Sequence, residues 1–156
     1  MIPSGFKRPR FEEPKLVSNQ KKGEKMALSR NRFIVGKLGL DSHDNGLRII
    51  SKWLMDSGYE VVYAGLYNTT KRLVQMALQE DANAIGISSL GGEHLYYAAE
   101  LLKELRENDM GHVKVIMGGV IPPDDVEELK ALGVNAVFTP GTMRDKILKD
   151  IEKLFS

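Results

Sequence analysis

Cysteine is absent from all 156 residues. Disulfides, thiolate nucleophiles and cysteine-held metal clusters are thereby excluded, and the composition fits a reducing compartment. No apolar run approaches the roughly 18 residues that a membrane-crossing helix needs. The amino-terminal stretch lacks the hydrophobic centre of a signal peptide, so a cytoplasmic location is the expectation. A strong net charge is missing too. Twenty-two Lys and Arg face 21 Asp and Glu, a net of +1, which speaks against nucleic acid or a membrane surface as partner. Histidine is scarce, with only His43, His94 and His112.

The near-neutral total hides an uneven distribution. Residues 1–32 carry nine Lys and Arg against three Glu, about +6, and the remainder thirteen against eighteen, about −5. Residues 1–31 mix Pro, Gly and charge with no sustained period of 3.6 or 2. They read as a basic arm, extended or disordered, with Phe6, Phe11 and Leu16 as anchors if it docks. Residues 32–156 are long enough for one domain with a real core.

From residue 32 the pattern becomes regular. Apolar runs such as "RFIVGKLGL", "YEVVYAGL", "ANAIGISSL" and "VKVIMGG" alternate with amphipathic stretches such as "GLRIISKWLMDSG" and "TTKRLVQMALQED". The second helix is expected to take Asn68 or Thr69 as its N-cap. Two further helices, "GEHLYYAAELLKELREND" and "PDDVEELKALG", precede the short strand "NAVFTPG" and the closing helix "TMRDKILKDIEKLF". Five strand–helix units in strict alternation predict a parallel sheet covered on both faces. Right-handed crossovers then favour the flavodoxin-like strand order 2-1-3-4-5, with ligands beyond the carboxyl ends of the strands.

The loops at those ends are unusual together. The first strand is followed by "DSHDNG"; the third ends in "SSLGG", the fourth in "GGVIPP" and the fifth in "TPGT". Small and hydroxyl residues let a backbone come close to a broad ligand. Several tenants of the fold fail on named positions. The first loop lacks the G-x-G-x-x-G of a dinucleotide site. Its two Asp and His would repel the phosphate of a flavin mononucleotide. A phospho-acceptor receiver would need an Asp after the third strand and a Lys after the fifth, where Ser88-Ser89-Leu90 and Thr139-Pro140-Gly141 stand.

A zinc site normally needs three or four protein ligands, and this loop offers one imidazole. One suffices if the metal arrives already held in a macrocycle and lacks a single axial ligand. Asp41 would then accept a hydrogen bond from Nδ1–H of His43 and leave Nε2 for the metal, and Lys37 could pair with that carboxylate. Gly46 would let the chain enter its helix without a side chain in the ligand's path. Read alone, the loop leaves both this role and an ordinary solvated histidine open.

Taken together, Asp41-Ser42-His43-Asp44-Asn45-Gly46, Ser88-Ser89-Leu90 and Gly118-Gly119 match D-x-H-x-x-G, S-x-L and G-G. This set resembles the signature of the cobalamin-binding domain of adenosylcobalamin-dependent mutases and methionine synthase, over residues 32 to 156. "GGVIPPDD" followed by "LGVNAVFTPGT" is closest to the acyl-CoA mutase branch, methylmalonyl-CoA mutase and its relatives. The resemblance implies that His43 is the lower axial ligand of cobalt, displacing the cofactor's own dimethylbenzimidazole, with Asp41 and Lys37 completing a relay. It further implies that Ser88, Leu90, Gly118, Gly119 and Val120 line the slot for the displaced nucleotide tail. Thr139, Gly141 and Thr142 would contact its far end, and Ser42, Asp44 and Gly46 would flank the ligand loop.

In that family the acyl-CoA substrate binds a large (β/α)8 barrel, which has no counterpart in these 156 residues. The expected protein is therefore the cobalamin-binding small subunit of a heteromeric mutase, an isomerase active only with a separate barrel subunit. Three alternatives share the motifs. A corrinoid carrier for methyl transfer usually has a helical bundle ahead of the motif, and the 31-residue arm is too short and irregular for one. A glutamate-mutase-type small subunit differs in loop details, notably "VIPPDD". A cobalamin sensor would carry a DNA-binding or signalling module.

Overall fold

The computed structural model describes residues 31–156. Apart from Asn31, the arm expected over residues 1–31 lies outside the described residues. Five strands, β1 (Arg32–Leu38), β2 (Glu60–Asn68), β3 (Ala84–Ser89), β4 (Lys114–Gly119) and β5 (Ala136–Phe138), form one parallel sheet in the order β2-β1-β3-β4-β5. Helices α1 (Asn45–Asp56), α2 (Thr70–Gln79), α3 (His94–Glu107), α4 (Pro123–Leu132) and α5 (Arg144–Leu154) make the crossovers and the close.

Period-2 alternation within each strand divides the core between two faces. Ile34 and Leu38 of β1 pack with Leu73 and Val74 of α2, Leu101 and Leu105 of α3, and Leu129 of α4. Phe33 and Val35 point the other way, towards Leu47 and Leu54 of α1 and Ile147 and Ile151 of α5. The two ends of this second layer differ. At the amino ends of the strands Phe33 meets Tyr59 and Phe155 edge-on, with centroids 5.0 and 5.7 Å apart, and plugs the space between sheet and helices. At the carboxyl ends Gly86, Gly118 and Gly119 provide no such plug.

Two irregularities shape the end of β1. Its pairing with β2 shifts register between Val35 and Gly36 and again between Gly36 and Leu38, so β2 is bulged where it borders the first loop. Asn68 ends β2 as a buried clamp. Its Nδ2 donates to the carbonyls of Lys37 and Gly65, both at 2.9 Å, and its backbone carbonyl accepts from Gly39 N–H at 3.0 Å. The N-cap of α2 is consequently Thr69, whose hydroxyl accepts from Arg72 N–H at 3.1 Å.

Candidate functional site

The strand order reverses between β1 and β3, and the carboxyl ends of those strands carry the first and third loops. Lys37 is the penultimate residue of β1 and is fully buried. An ammonium there needs a partner, and Asp41 supplies it, accepting from Lys37 Nζ at 2.7 Å. Asp41 takes three further hydrogen bonds. His43 N–H donates to Oδ1 at 3.0 Å, His43 Nδ1 lies 2.9 Å from the same oxygen, and Leu90 N–H donates to Oδ2 at 3.0 Å.

Burial works against ionisation of Asp41. The Lys37 ammonium, both contacts from His43 and the Leu90 N–H outweigh it and hold the carboxyl well below the usual carboxylate range. An ionised Asp41 only accepts, so Nδ1 of His43 carries the hydrogen, and in the neutral ring Nε2 then presents its lone pair. The His43 side chain is 74% exposed, which leaves that lone pair open to a ligand.

Beside this relay lies an apolar cleft of about 370 Å³, within the roughly 300–1,000 Å³ span of small-molecule sites. Leu47, Ile50 and Trp53 of α1 form one wall, and Gly86, Ser88, Gly118 and Gly119 at the strand ends form the other. Leu90, Val120, Phe138 and Thr139 close its rim. The glycines keep it open. A Cβ on Gly118 would stand 3.6 Å from the Phe138 carbonyl oxygen, and one on Gly46 would stand 3.8 Å from Ser88 Oγ, so both would fill space without collision. Gly119 is different: its φ is +113°, and a Cβ there would collide with the Ser89 carbonyl.

Most of the expected site residues therefore converge. Lys37, Asp41 and His43 form the relay, while Gly46, Ser88, Leu90, Gly118, Gly119, Val120 and Thr139 line the cleft. Ser42 lies with Asp41 and His43 on a second, smaller cleft of about 330 Å³ that shares Ser88 and Leu90 with the first. Asp44 turns to Arg48, whose Nε donates to it at 2.6 Å, and the Arg48 hydrogen bond holds its carboxyl below the usual range. Gly141 and Thr142 stand apart from both clefts. They build the turn after β5, where Thr142 Oγ1 donates to the Thr139 carbonyl at 2.7 Å.

His94 also borders the second cleft and pairs with Asp125 at 2.6 Å. The sequence puts it at the start of a helix but gives no sign of that partner, because only the crossover brings residues 31 positions apart together. Among the described residues no three His, Cys, Asp or Glu side chains converge as a metal cage.

The donor set suits a corrinoid. One exposed imidazole with a fixed tautomer fits a metal that lacks a single axial ligand. An apolar cleft lined by Ser88 and Thr139 among its apolar residues fits an aromatic base with a few polar atoms.

Comparison with known proteins gives the same direction. The chain is 41% identical over 123 residues to the pivalyl-CoA mutase small subunit of Xanthobacter autotrophicus (strain ATCC BAA-1158 / Py2), a match covering 79% of this chain and 82% of that one. It is 37% identical over 123 residues to the 2-hydroxyisobutanoyl-CoA mutase small subunit of Aquincola tertiaricarbonis, covering 79% and 90%. The mitochondrial methylmalonyl-CoA mutase of Homo sapiens is 37% identical over 158 residues, which span 96% of this chain but 21% of that protein. In fold, the chain is similar to a cobalamin-binding protein from Desulfitobacterium hafniense DCB-2, with a TM-score of 0.69 and 22% identity over 81% of this chain and 59% of that one. A model of the B12 binding domain matches residues 31–148. The chain belongs to the B12 binding domain family.

Proposed function

We propose that this protein is the cobalamin-binding small subunit of a heteromeric, adenosylcobalamin-dependent acyl-CoA mutase. The Lys37–Asp41–His43 relay, tied through the Leu90 N–H to the lining of a glycine-walled cleft, carries this reading. The extent of the match supports it, because the chain spans most of two mutase small subunits and about a fifth of a full methylmalonyl-CoA mutase.

In this reading His43 Nε2 would hold the cobalt of the bound cofactor. Lys37 keeps Asp41 ionised, and Asp41 holds the ring in the tautomer that ligates. Ser88, Leu90, Gly118, Gly119, Val120 and Thr139 would hold the nucleotide tail of that cofactor. Gly46 leaves the entrance open, and Ser42 and Asp44 shape the ligand loop. Gly141 and Thr142 set the turn that brings Thr139 to the far end of the tail. When bound, adenosylcobalamin supplies radical chemistry by homolysis of its cobalt–carbon bond. The chain's own task is to bind, orient and shield.

The partner is a large subunit, a (β/α)8 barrel that holds the acyl-CoA. Carbon-skeleton isomerisation of a methylmalonyl-, isobutyryl- or 2-hydroxyisobutyryl-type thioester is the reaction class. Residues 32–156 are the cofactor domain and residues 1–31 a basic arm. A cytoplasmic setting belongs to the same reading; no helix among the described residues is long and apolar enough to cross a membrane. Reconstitution tests the whole. Mixing the chain with a barrel subunit and adenosylcobalamin gives isomerisation of one acyl-CoA in a panel of branched thioesters. Inactivity with every member would overturn the reading.

A further inference from the structure

His94 is 3% exposed, and its Nε2 lies 2.6 Å from Asp125 Oδ2. Neither residue belongs to the axial relay or to the walls of the larger cleft. A carboxylate oxygen accepts, so Nε2 carries the hydrogen. The other ring nitrogen, Nδ1, is buried without a partner among the described residues. An empty buried polar atom costs stability, so an apolar side chain would serve better if filling space were the only task.

The surroundings say what the pair restrains. Between Leu90 and His94 the chain runs through Gly91 and Gly92, both exposed, with open space where either Cβ would be and Gly92 at φ +80°. Two adjacent glycines give this loop unusual backbone freedom. The helix that follows begins without help, because Glu93 at its N-cap position makes no side-chain capping hydrogen bond. Asp125 lies in the first turn of α4, directly after the loop that leaves Gly118, Gly119 and Val120. The two loops touch where Val120 N–H donates to the Ser89 carbonyl at 2.9 Å. Leu90, just before the glycine pair, donates its N–H to Asp41.

We propose that His94 and Asp125 are positioning residues, a latch that fixes the loop after β3, which begins at Leu90, against the loop after β4, which begins at Val120. The latch holds Asp41 and the mouth of the larger cleft in the form that receives a corrinoid. It rests on the cobalamin reading of that site, yet it restrains the free protein as well.

Two readouts test it, one without cofactor. In the free protein, the Leu90 amide should exchange with deuterium about tenfold faster in His94→Leu and in Asp125→Ala than in wild type. Titration with hydroxocobalamin should show roughly tenfold weaker binding in both variants. The double variant should be no weaker than either single one, because the two residues act as a unit. His94→Gln, which retains a donor for Asp125, should recover most of both signals. Asp125→Ala removes a side chain that is 27% exposed, and keeps the comparison open if His94→Leu does not fold. Wild-type exchange at Leu90 in both single variants, or losses that add in the double variant, would overturn the latch. If wild type itself fails to bind hydroxocobalamin, the functional reading falls, and the exchange of Leu90 still decides the latch.

Discussion

A fully buried ammonium with one carboxylate partner dominates the energetics of the site at the residue scale. Removing the carboxylate strands the charge, whereas replacing both members with apolar groups strands nothing. Asp41→Ala should therefore cost about 3 kcal/mol in urea denaturation, and Lys37→Met in the same chain should restore most of it. Cobalamin binding should stay weak in the double variant, because stability returns without the relay. Equal stability of the single and double variants would contradict the pairing.

The acid limb of stability follows from the same group. The folded-state pKa of Asp41 is depressed, so its contribution is complete above the ordinary carboxylate range and is lost as pH falls through the lower folded value. The stability gap between wild type and Asp41→Asn should accordingly be constant from pH 7 to about pH 5 and narrow below about pH 4. Urea midpoints of both proteins across that range measure it. A gap that stays constant to pH 3 would mean that the carboxyl gains nothing from its neighbours.

At the scale of elements, the β4 terminus separates fold from binding. Gly118 and Gly119 are adjacent, but only the second has a backbone that resists a side chain. Gly119→Ala should cost about 1–3 kcal/mol through its left-handed φ, in addition to the collision with Ser89. Gly118→Ala should leave stability unchanged or raise it by about 0.5 kcal/mol, because a strand alanine orders the unfolded chain less expensively. Its methyl group would narrow the cleft, and cobalamin binding should weaken by roughly tenfold. Calorimetric melting and spectrophotometric titration of the two variants separate these effects.

The same strands show what is legible in residues and what is not. Near-continuous Val and Ile runs between amphipathic stretches reveal a buried parallel sheet, and their strict alternation leaves the order 2-1-3-4-5 as the favoured topology. D-x-H-x-x-G, S-x-L and G-G are readable because each is a local string at a strand end. The double bulge of β2 is not, since a register shift is defined by the partner strand. Asn68 looks like a helix cap from its neighbours, and only the bulge turns it inward onto Lys37. His94 and Asp125 are invisible as a pair for the same reason: their meeting is a property of the crossover. Thr142 reads as a ligand contact, and the hydrogen bond from its hydroxyl to the Thr139 carbonyl is not legible in the string.

For the whole molecule, the division between the two ends of the sheet sets where a ligand can enter. An aromatic plug seals the amino end of the α1–α5 layer, while the carboxyl end remains open, lined with glycine and fronted by one exposed imidazole. Exposed Leu40, Val120 and Met143 ring that open end, an apolar rim suited to a face that a large subunit covers. Such an end suits a domain that presents a cofactor to a large subunit.

Electron spin resonance of the Co(II) form, prepared with 15N-labelled histidine and unlabelled cobalamin, tests this account most directly. The unpaired electron on cobalt couples to whichever nitrogen is its lower axial ligand, and 14N splits each line into three where 15N splits it into two. Wild type labelled on histidine should give doublets, and His43→Ala should lose them. Triplets persisting in the labelled wild type would mean that the cofactor keeps its own base, and the assignment of His43 would be wrong.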